Sequence, residues 1–246
     1  MPAIDINPTF FNHDAQAGGF FPVTHTNPGF DIDSYISGTG KNLLIEGIRG
    51  TGKTHILKMI SSKCIDTYPK NKILPVYLSL AKVSEWEGKD IHLFRIQLYA
   101  NIVHETISAI EREKAKIIYR KTGTETALDK IRQMFGLEIK GDIETILKKI
   151  KELNDDLLSK LTYNQERVLS KLRAETERKL EISGKTKTIQ VSWDDIEKLI
   201  SEKELLFVGK NLAYENAATF IIEFFKQLKL ILDYKYTILL IDECSE

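Results

Sequence analysis

The chain has 246 residues, 42% of them hydrophobic and 28% charged, which is ordinary for a globular protein with a proper core. Lysine plus arginine and aspartate plus glutamate balance at 35 each, so the overall charge gives no argument for binding nucleic acid or an anionic membrane. The two cysteines, Cys64 and Cys244, have no Cys or His partner at metal-site spacing. This pattern favours free thiols in a reducing compartment over a disulfide or zinc framework.

Residues 1–40 are rich in Gly, Pro, Asn and aromatic residues and show no sustained periodicity. We interpret them as an irregular lead-in with one short helix at residues 31–38. The amino terminus lacks a basic start followed by an apolar run, so no signal peptide is expected. The most apolar later stretch, residues 217–232, is interrupted by charged residues, which excludes a simple membrane span. The prediction is a cytoplasmic protein without a membrane partner.

The next segment, residues 41–103, has the pattern strand, helix, strand. A short apolar run at residues 41–47, KNLLIEG, predicts a buried strand, and a helix is expected to begin near Lys53. The inner side of that helix is predicted to consist of Ile56, Leu57, Met59 and Ile60. The β-rich run at residues 72–83 predicts a second strand. Strand, helix and strand in this order form a βαβ unit, which predicts a parallel sheet and an α/β fold.

The middle of the chain is predicted to be helical. Apolar residues recur at helical spacing from Ile91 to about Arg120, and residues 142–181 form a long charged stretch. The apolar positions in that stretch, three, four or seven apart, are Ile143, Leu147, Ile150, Leu153, Leu157, Leu161, Val168 and Leu172. This spacing predicts a long helix or hairpin of coiled-coil type. Two interpretations stay open: a solvated helical insertion, or an arm dedicated to binding a partner.

The last part of the chain returns to a strand. A short strand is expected at residues 186–193, where Ser192 would cap a following helix, and another helix is expected at about residues 213–233. Four apolar residues, 238–241, then predict a buried strand that ends in Asp242 and Glu243.

Residues 47–54, GIRGTGKT, have the spacing of a phosphate-binding loop. Glycines are needed there because backbone N–H groups must point at the phosphates in conformations that side chains would obstruct. The following helix places its positive amino-terminal dipole against the same charge. Lys53 would reach the β- and γ-phosphates, and Thr54 would offer its hydroxyl to Mg²⁺. The candidate nucleotide site comprises Gly47, Ile48, Arg49, Gly50, Thr51, Gly52, Lys53, Thr54 and His55.

The acids after residues 238–241 supply the second half of such a site. An acid at the carboxyl end of a parallel strand faces the crevice where ligands bind. Asp242 would hold Mg²⁺, usually through water, and Glu243 would polarise the water that attacks the γ-phosphate. An apolar run that ends in Asp-Glu is common by itself, but the phosphate loop upstream makes it the expected partner motif.

These segments, NLLIEGIRGTGKTHIL, KILPVYLSL and YTILLIDE, resemble the AAA+ group of P-loop NTPases, and within it the branch related to origin-recognition replication initiators. The resemblance implies a three-layer P-loop fold with ATP and Mg²⁺ as ligands. It implies that Lys53 and Glu243 are catalytic and that Thr54 and Asp242 hold the metal. In that family the residues before the first strand line the adenine pocket, which makes Phe30, Ile32 and Tyr35 candidates for that role.

The chain departs from the family in two ways. Thr54 and Asp242 are 188 positions apart (242 − 54), far more than in a compact member, so residues 104–205 are interpreted as a helical insertion between core segments 41–103 and 206–246. The second departure is that the sequence stops at Glu246. In the family, the strand after the acid strand carries a polar sensor residue and lies in the sheet between the loop strand and the acid strand. The family's trans-acting arginine and helical lid come later in the chain. We therefore expect an incomplete sheet, an amino-terminal piece of a larger ATPase, and weak or absent hydrolysis by this piece alone.

Two functions follow from the resemblance. The first is an ATPase, expected to be a homo-oligomer when complete, that moves or remodels a protein or DNA partner through its insertion; DNA enters by family analogy alone. The alternative is a nucleotide-gated signalling or scaffold module that binds ATP with little turnover. Glu243 favours hydrolysis, since a binding module needs no base for water. ATPases of the chromosome-maintenance type are disfavoured because their Ser-Gly-Gly signature is missing before the acidic strand.

Overall fold

The computed structural model describes residues 52–83, 91–120, 123–163, 202–213 and 216–242, with isolated positions at 32, 36, 44–46, 170, 174, 196–197 and 200. The described elements are helix α1 (Lys53–Asp66), helix α2 (Tyr68–Asn71), strand β1 (Ile73–Ser79), a 3₁₀ turn (Leu80–Lys82), helix α3 (Ile91–Arg112), helix α4 (Glu125–Met134), helix α5 (Ile143–Tyr163), helix α6 (Lys203–Ala213), helix α7 (Ala217–Ile231) and strand β2 (Tyr236–Asp242). The chain is therefore a mixed α/β protein, as the sequence predicts.

Strands β1 and β2 pair in parallel, with Ile73 opposite Tyr236 and Ser79 opposite Asp242. In the described part of the chain these two strands make up the whole sheet. A parallel pair needs a crossover between its strands, and here the crossover contains helices α3 to α7. The predicted parallel sheet is thus observed for these two strands.

The two faces of the sheet pack against different helices because strand residues alternate in direction. On one face, Ile73 and Leu240 join Ile60 and Cys64 of α1, together with Ile32 and Ile36, in a cluster that we call the small core. On the other face, Leu74, Val76 and Leu78 join residues of α3 to α7 in a cluster that we call the large core. Helices therefore cover both sides of β1.

Helix α3 is the centre of the large core. It contacts β1, α5, α6 and α7, and its side chains Leu93, Ile96, Val103 and Ile107 are fully buried. The apolar seam of α5 is buried too, at Ile146, Leu147, Ile150, Leu153, Leu157 and Leu161. Within the described residues, the seam that predicts a coiled coil is thus packed inside the molecule against α3 and α6.

Three details differ from the sequence predictions. Residues 44–46 form no strand, and Leu44 is 76% exposed; a strand needs a ladder partner, and no described residue pairs with this segment. The expected burial of β2 is only partial, since Leu239 and Ile241 are 40% and 38% exposed. Helix α3 ends at Arg112 rather than near Arg120, because the chain there turns into an antiparallel bridge between Tyr119 and Leu232.

Helix α3 continues through the boundary predicted after residue 103, and its buried residues on both sides of that point belong to the large core. The predicted strand at residues 186–193 lies outside the described residues, as do residues 164–169 of the long helical stretch and most of the lead-in. No helix in the described part of the chain is long and apolar enough to cross a membrane.

Candidate functional site

Helix α1 begins where the phosphate-loop spacing predicts. Gly52 immediately precedes it with φ 82° and ψ 17°, in the left-handed region that glycine adopts without strain. The N-cap residue is this glycine, which has no side chain to cap the helix, and the first turn carries no acidic residue. The first-turn N–H groups of a helix have no partners within that helix, so this end is suited to an anion. Residues 47–51 lie outside the described part of the chain.

Helix α1 runs antiparallel to the strands. Its carboxyl end leads through α2 into the first residue of β1, so that end lies at the amino edge of the sheet. The 14 residues of α1 span about 21 Å, and the 7 residues of each strand span about 23 Å. Lys53 is therefore brought level with the carboxyl edge, where Ser79 and Asp242 end the two strands.

A side-chain contact fixes the same alignment. The ammonium of Lys58 lies over the ring of Tyr77, 5.8 Å from its centre. Lys58 is five residues from the start of α1, about 7.5 Å along the helix, and Tyr77 is two residues from the end of β1, about 6.6 Å along the strand. The contact thus places the beginning of the helix beside the end of the strand.

Asp242 ends β2 in a buried position, with 5% of its surface exposed. The hydroxyl of Tyr77 donates a hydrogen bond of 2.6 Å to its Oδ2. A buried carboxylate is stable only when such donors or a cation compensate its charge. Glu243, the predicted base for water, lies outside the described residues.

The structure thus brings Lys53, Thr54 and Asp242 to one edge of the sheet. Thr54 and His55 lie in the first turn of α1 and are partly buried. Ile32, a candidate for the adenine pocket, is buried in the small core, and the other two candidates lie outside the described residues.

The described residues contain no cluster of three or more His, Cys, Asp or Glu side chains that could enclose a metal ion. A Mg²⁺ ion at Asp242 would therefore take most of its ligands from phosphate oxygens and water, as Mg²⁺ commonly does. Cys64 gives no alternative site, because it is fully buried in the small core and burial raises the pKa of its thiol to about 12. It is a free thiol that stays protonated.

Sequence reasoning missed two residues at this edge, Lys58 and Tyr77. Their positions in the sequence could have indicated them. Lys58 is one helical turn after Thr54, and Tyr77 lies four residues after Ile73 on the α1 side of the strand. Neither residue belongs to the motif of residues 47–54, so spacing alone does not single them out.

Comparison with known proteins adds no residue to the site. No family model matches the chain, and neither a curated protein nor a solved structure matches it. The assignment of site residues therefore depends on the spacing of residues 47–54 and on the placement of Lys53, Thr54 and Asp242 in this fold.

Proposed function

We propose that the chain is the core of an ATPase of the AAA+ type, which binds ATP with Mg²⁺ in a P-loop fold. The observation that carries the proposal is the convergence of two separate motifs: the helix after the phosphate loop begins at the sheet edge where the strand of Asp242 ends. Since ligands of open α/β sheets bind at this edge, both motifs would face one nucleotide.

Each residue has a defined role in this proposal. The loop of residues 47–52 and the first turn of α1 bind the phosphates, and Lys53 neutralises the β- and γ-phosphates. Thr54 and Asp242 hold Mg²⁺, which withdraws charge from the transferred group. Glu243 orients and polarises the attacking water, so that hydrolysis follows binding.

The strand order supports the AAA+ assignment. In the resemblance, the loop strand and the acid strand are separated by a sensor strand, so they are not neighbours. In the structure β2 pairs with β1 at one edge, and among the described residues no strand occupies its other edge, where the sensor strand would lie. The exposed side chains of Leu239 and Ile241 on β2 agree with a sheet in which this strand has further neighbours.

The resemblance also suggests what the hydrolysis of ATP would drive. A homo-oligomer of the complete protein would use its nucleotide cycle to move or remodel a protein or DNA. Hydrolysis distinguishes this motor from the nucleotide-gated switch. Glu243→Gln should keep ATP bound and abolish turnover; a motor would then lose its output, whereas a binding switch would continue to work.

Lys53→Ala tests the proposal directly. We expect its affinity for a fluorescent, non-hydrolysable ATP analogue to fall about a hundredfold, the effect of removing a charged contact with the phosphates. Lys70→Ala, an exposed lysine on α2, is the matched control and should bind as the unmodified chain does. Equal affinity of the Lys53→Ala variant and the control would contradict nucleotide binding at this loop.

A further inference from the structure

Three side chains from three elements form a continuous series at the carboxyl edge of the sheet. Lys58 of α1 lies over the ring of Tyr77 of β1, and the hydroxyl of Tyr77 donates to Asp242 at the end of β2. The series joins the helix that carries Thr54 to the strand that carries Asp242. These are the two elements that would each supply a ligand to Mg²⁺.

We propose that Tyr77 is a positioning residue for the metal: its hydroxyl fixes the carboxylate of Asp242 in the orientation that receives the hydrated Mg²⁺ ion of the nucleotide. This inference rests on the proposed function and adds to it a residue that lies outside both motifs. Tyr77 acts through Asp242 and touches neither the phosphates nor the metal.

The register explains why a tyrosine suits this position. Tyr77 pairs with Leu240, while Asp242 pairs with Ser79. Tyr77 and Asp242 are therefore diagonal neighbours on one face, separated by about 4.8 Å across the strands and 6.6 Å along them, or roughly 8 Å in all. A tyrosine reaches across this distance with its hydroxyl, whereas a serine or threonine is too short.

This hydrogen bond by itself does not prevent the carboxylate from serving a metal. An ionised carboxylate offers about four lone-pair positions, and the tyrosine hydroxyl uses one of them on Oδ2. It also limits rotation of the carboxylate group, so less orientational freedom is lost when the hydrated ion binds. Outer partners of this kind commonly change metal affinity by ten- to a hundredfold, roughly, when they are removed.

Lys58 of α1 contacts the ring of Tyr77 and so links the helix to this hydrogen bond. It follows Thr54 by one helical turn, so it projects from the same side of α1. A cation over an aromatic face is attracted by the partial negative charge of the π face, which favours this position of the ring. The position of the ring, and with it the position of the hydroxyl, is therefore tied to the helix that follows the phosphate loop.

Tyr77→Phe tests the inference because it removes the hydroxyl and keeps the ring under Lys58. The affinity for a fluorescent, non-hydrolysable ATP analogue would be measured in EDTA and in saturating Mg²⁺, and the ratio of the two gives the metal-linked gain. We expect that gain to fall about tenfold, as for the loss of one hydrogen bond to a charged group. The affinity in EDTA should not change.

Tyr236→Phe is the matched control. It removes a tyrosine hydroxyl from the same sheet at the opposite edge, where that hydroxyl donates to the carbonyl of Ile36. We expect its metal-linked gain to equal that of the unmodified chain. A purely structural role of Tyr77 would lower affinity in EDTA and in Mg²⁺ alike, and an unchanged gain in Tyr77→Phe would overturn the inference.

The remaining outcomes separate this inference from the proposed function. If the unmodified chain binds no nucleotide, or Lys53→Ala binds as well as it does, the proposed function fails. If Lys53→Ala loses binding but Tyr77→Phe keeps the full gain from Mg²⁺, only the role of Tyr77 fails. Should Tyr77→Phe not fold, Lys58→Met serves instead: a reduced gain with unchanged affinity in EDTA supports the inference, and a full gain overturns it.

Discussion

The two sides of the sheet differ in the number of described residues that are buried against them. The large core brings together residues of β1 and of five helices, α3 to α7, nearly all apolar and fully buried. Among the described residues, the small core contains six buried residues, and helix α1 contributes mainly partly buried side chains to it. Lys53, Thr54 and the buried Asp242 of the candidate site lie on the side of the sheet that carries the small core.

This division implies that stability and binding can be changed separately. Removing apolar atoms from the large core should destabilise the protein, because the surrounding helices relax only partly into the cavity. Changes beside α1 should alter ligand affinity with a smaller effect on folding. A protein whose binding site was part of its main core would not show this separation.

The largest expected effect is that of Phe224→Ala in α7. Phe224 is fully buried and makes an edge-on contact with Phe135, with ring centres 5.6 Å apart. We expect the free energy of unfolding to fall by about 3–5 kcal/mol, measured by urea denaturation. Ile222→Ala, on the same helix at a side chain that is 55% exposed, is the control, with an expected change of less than about 0.5 kcal/mol. Similar losses in both variants would show that the large core does not dominate stability.

Two glycine variants compare the start of α1, in the candidate site, with the segment before α4. Gly52 and Gly123 have φ of 82° and 77°, and an added Cβ would meet nothing within 4 Å at either. Gly52→Ala and Gly123→Ala should each reduce the free energy of unfolding by about 1 kcal/mol, the strain of a left-handed alanine. Only Gly52→Ala should also weaken nucleotide binding. Equal nucleotide affinity in the two variants would remove Gly52 from the site.

The smallest expected effect concerns the amino edge of the sheet. A hydrogen bond from Lys72, together with the charges of Lys72 and Arg120, lowers the pKa of Asp233 below its ordinary value. Asp233 therefore stabilises the fold above the pKa it has in the unfolded chain, near 3.8, and this contribution is lost as the pH falls through the lower pKa of the folded state.

Asp233→Asn should remove that dependence. Its melting temperature should lie slightly below that of the unmodified chain at pH 6, and the two should approach each other as the pH falls from about 5 to 3. Differential scanning calorimetry across this range measures the effect. A constant difference in melting temperature between pH 6 and pH 3 would contradict it.

The sequence predicted elements well where local pattern and packing agree. Helix α1 begins at Lys53 as expected, and the apolar seam of α5 from Ile143 is visible in its spacing. The ends of elements were harder to predict: α3 stops at Arg112 because the chain beyond it pairs with residues near Leu232, more than a hundred positions away. A contact of that range leaves no local signal.

The candidate site divides in the same way. Motif spacing identified Lys53, Thr54 and Asp242, since phosphate chemistry requires those residue types in that order. Motif spacing could not identify Tyr77, because its proposed role depends on the register between β1 and β2. The apolar run at residues 238–241 also predicted that Leu239 and Ile241 are buried, and both are partly exposed. An apolar run does not reveal which neighbours cover its side chains.

Several bonds at the amino edge of the sheet join the segments that precede the two strands. There Lys72 pairs with Asp233, the Tyr68 hydroxyl donates to the Asp233 carbonyl over 3.3 Å, and the backbone N–H of Lys235 donates to the Lys72 carbonyl over 2.7 Å. At the other edge, the Tyr77 hydroxyl donates a hydrogen bond to the Asp242 carboxylate. A force that pulls the strands apart from the carboxyl edge would therefore break the ladder of backbone bonds from Ser79 and Asp242 onward before it reached these bonds at the amino edge.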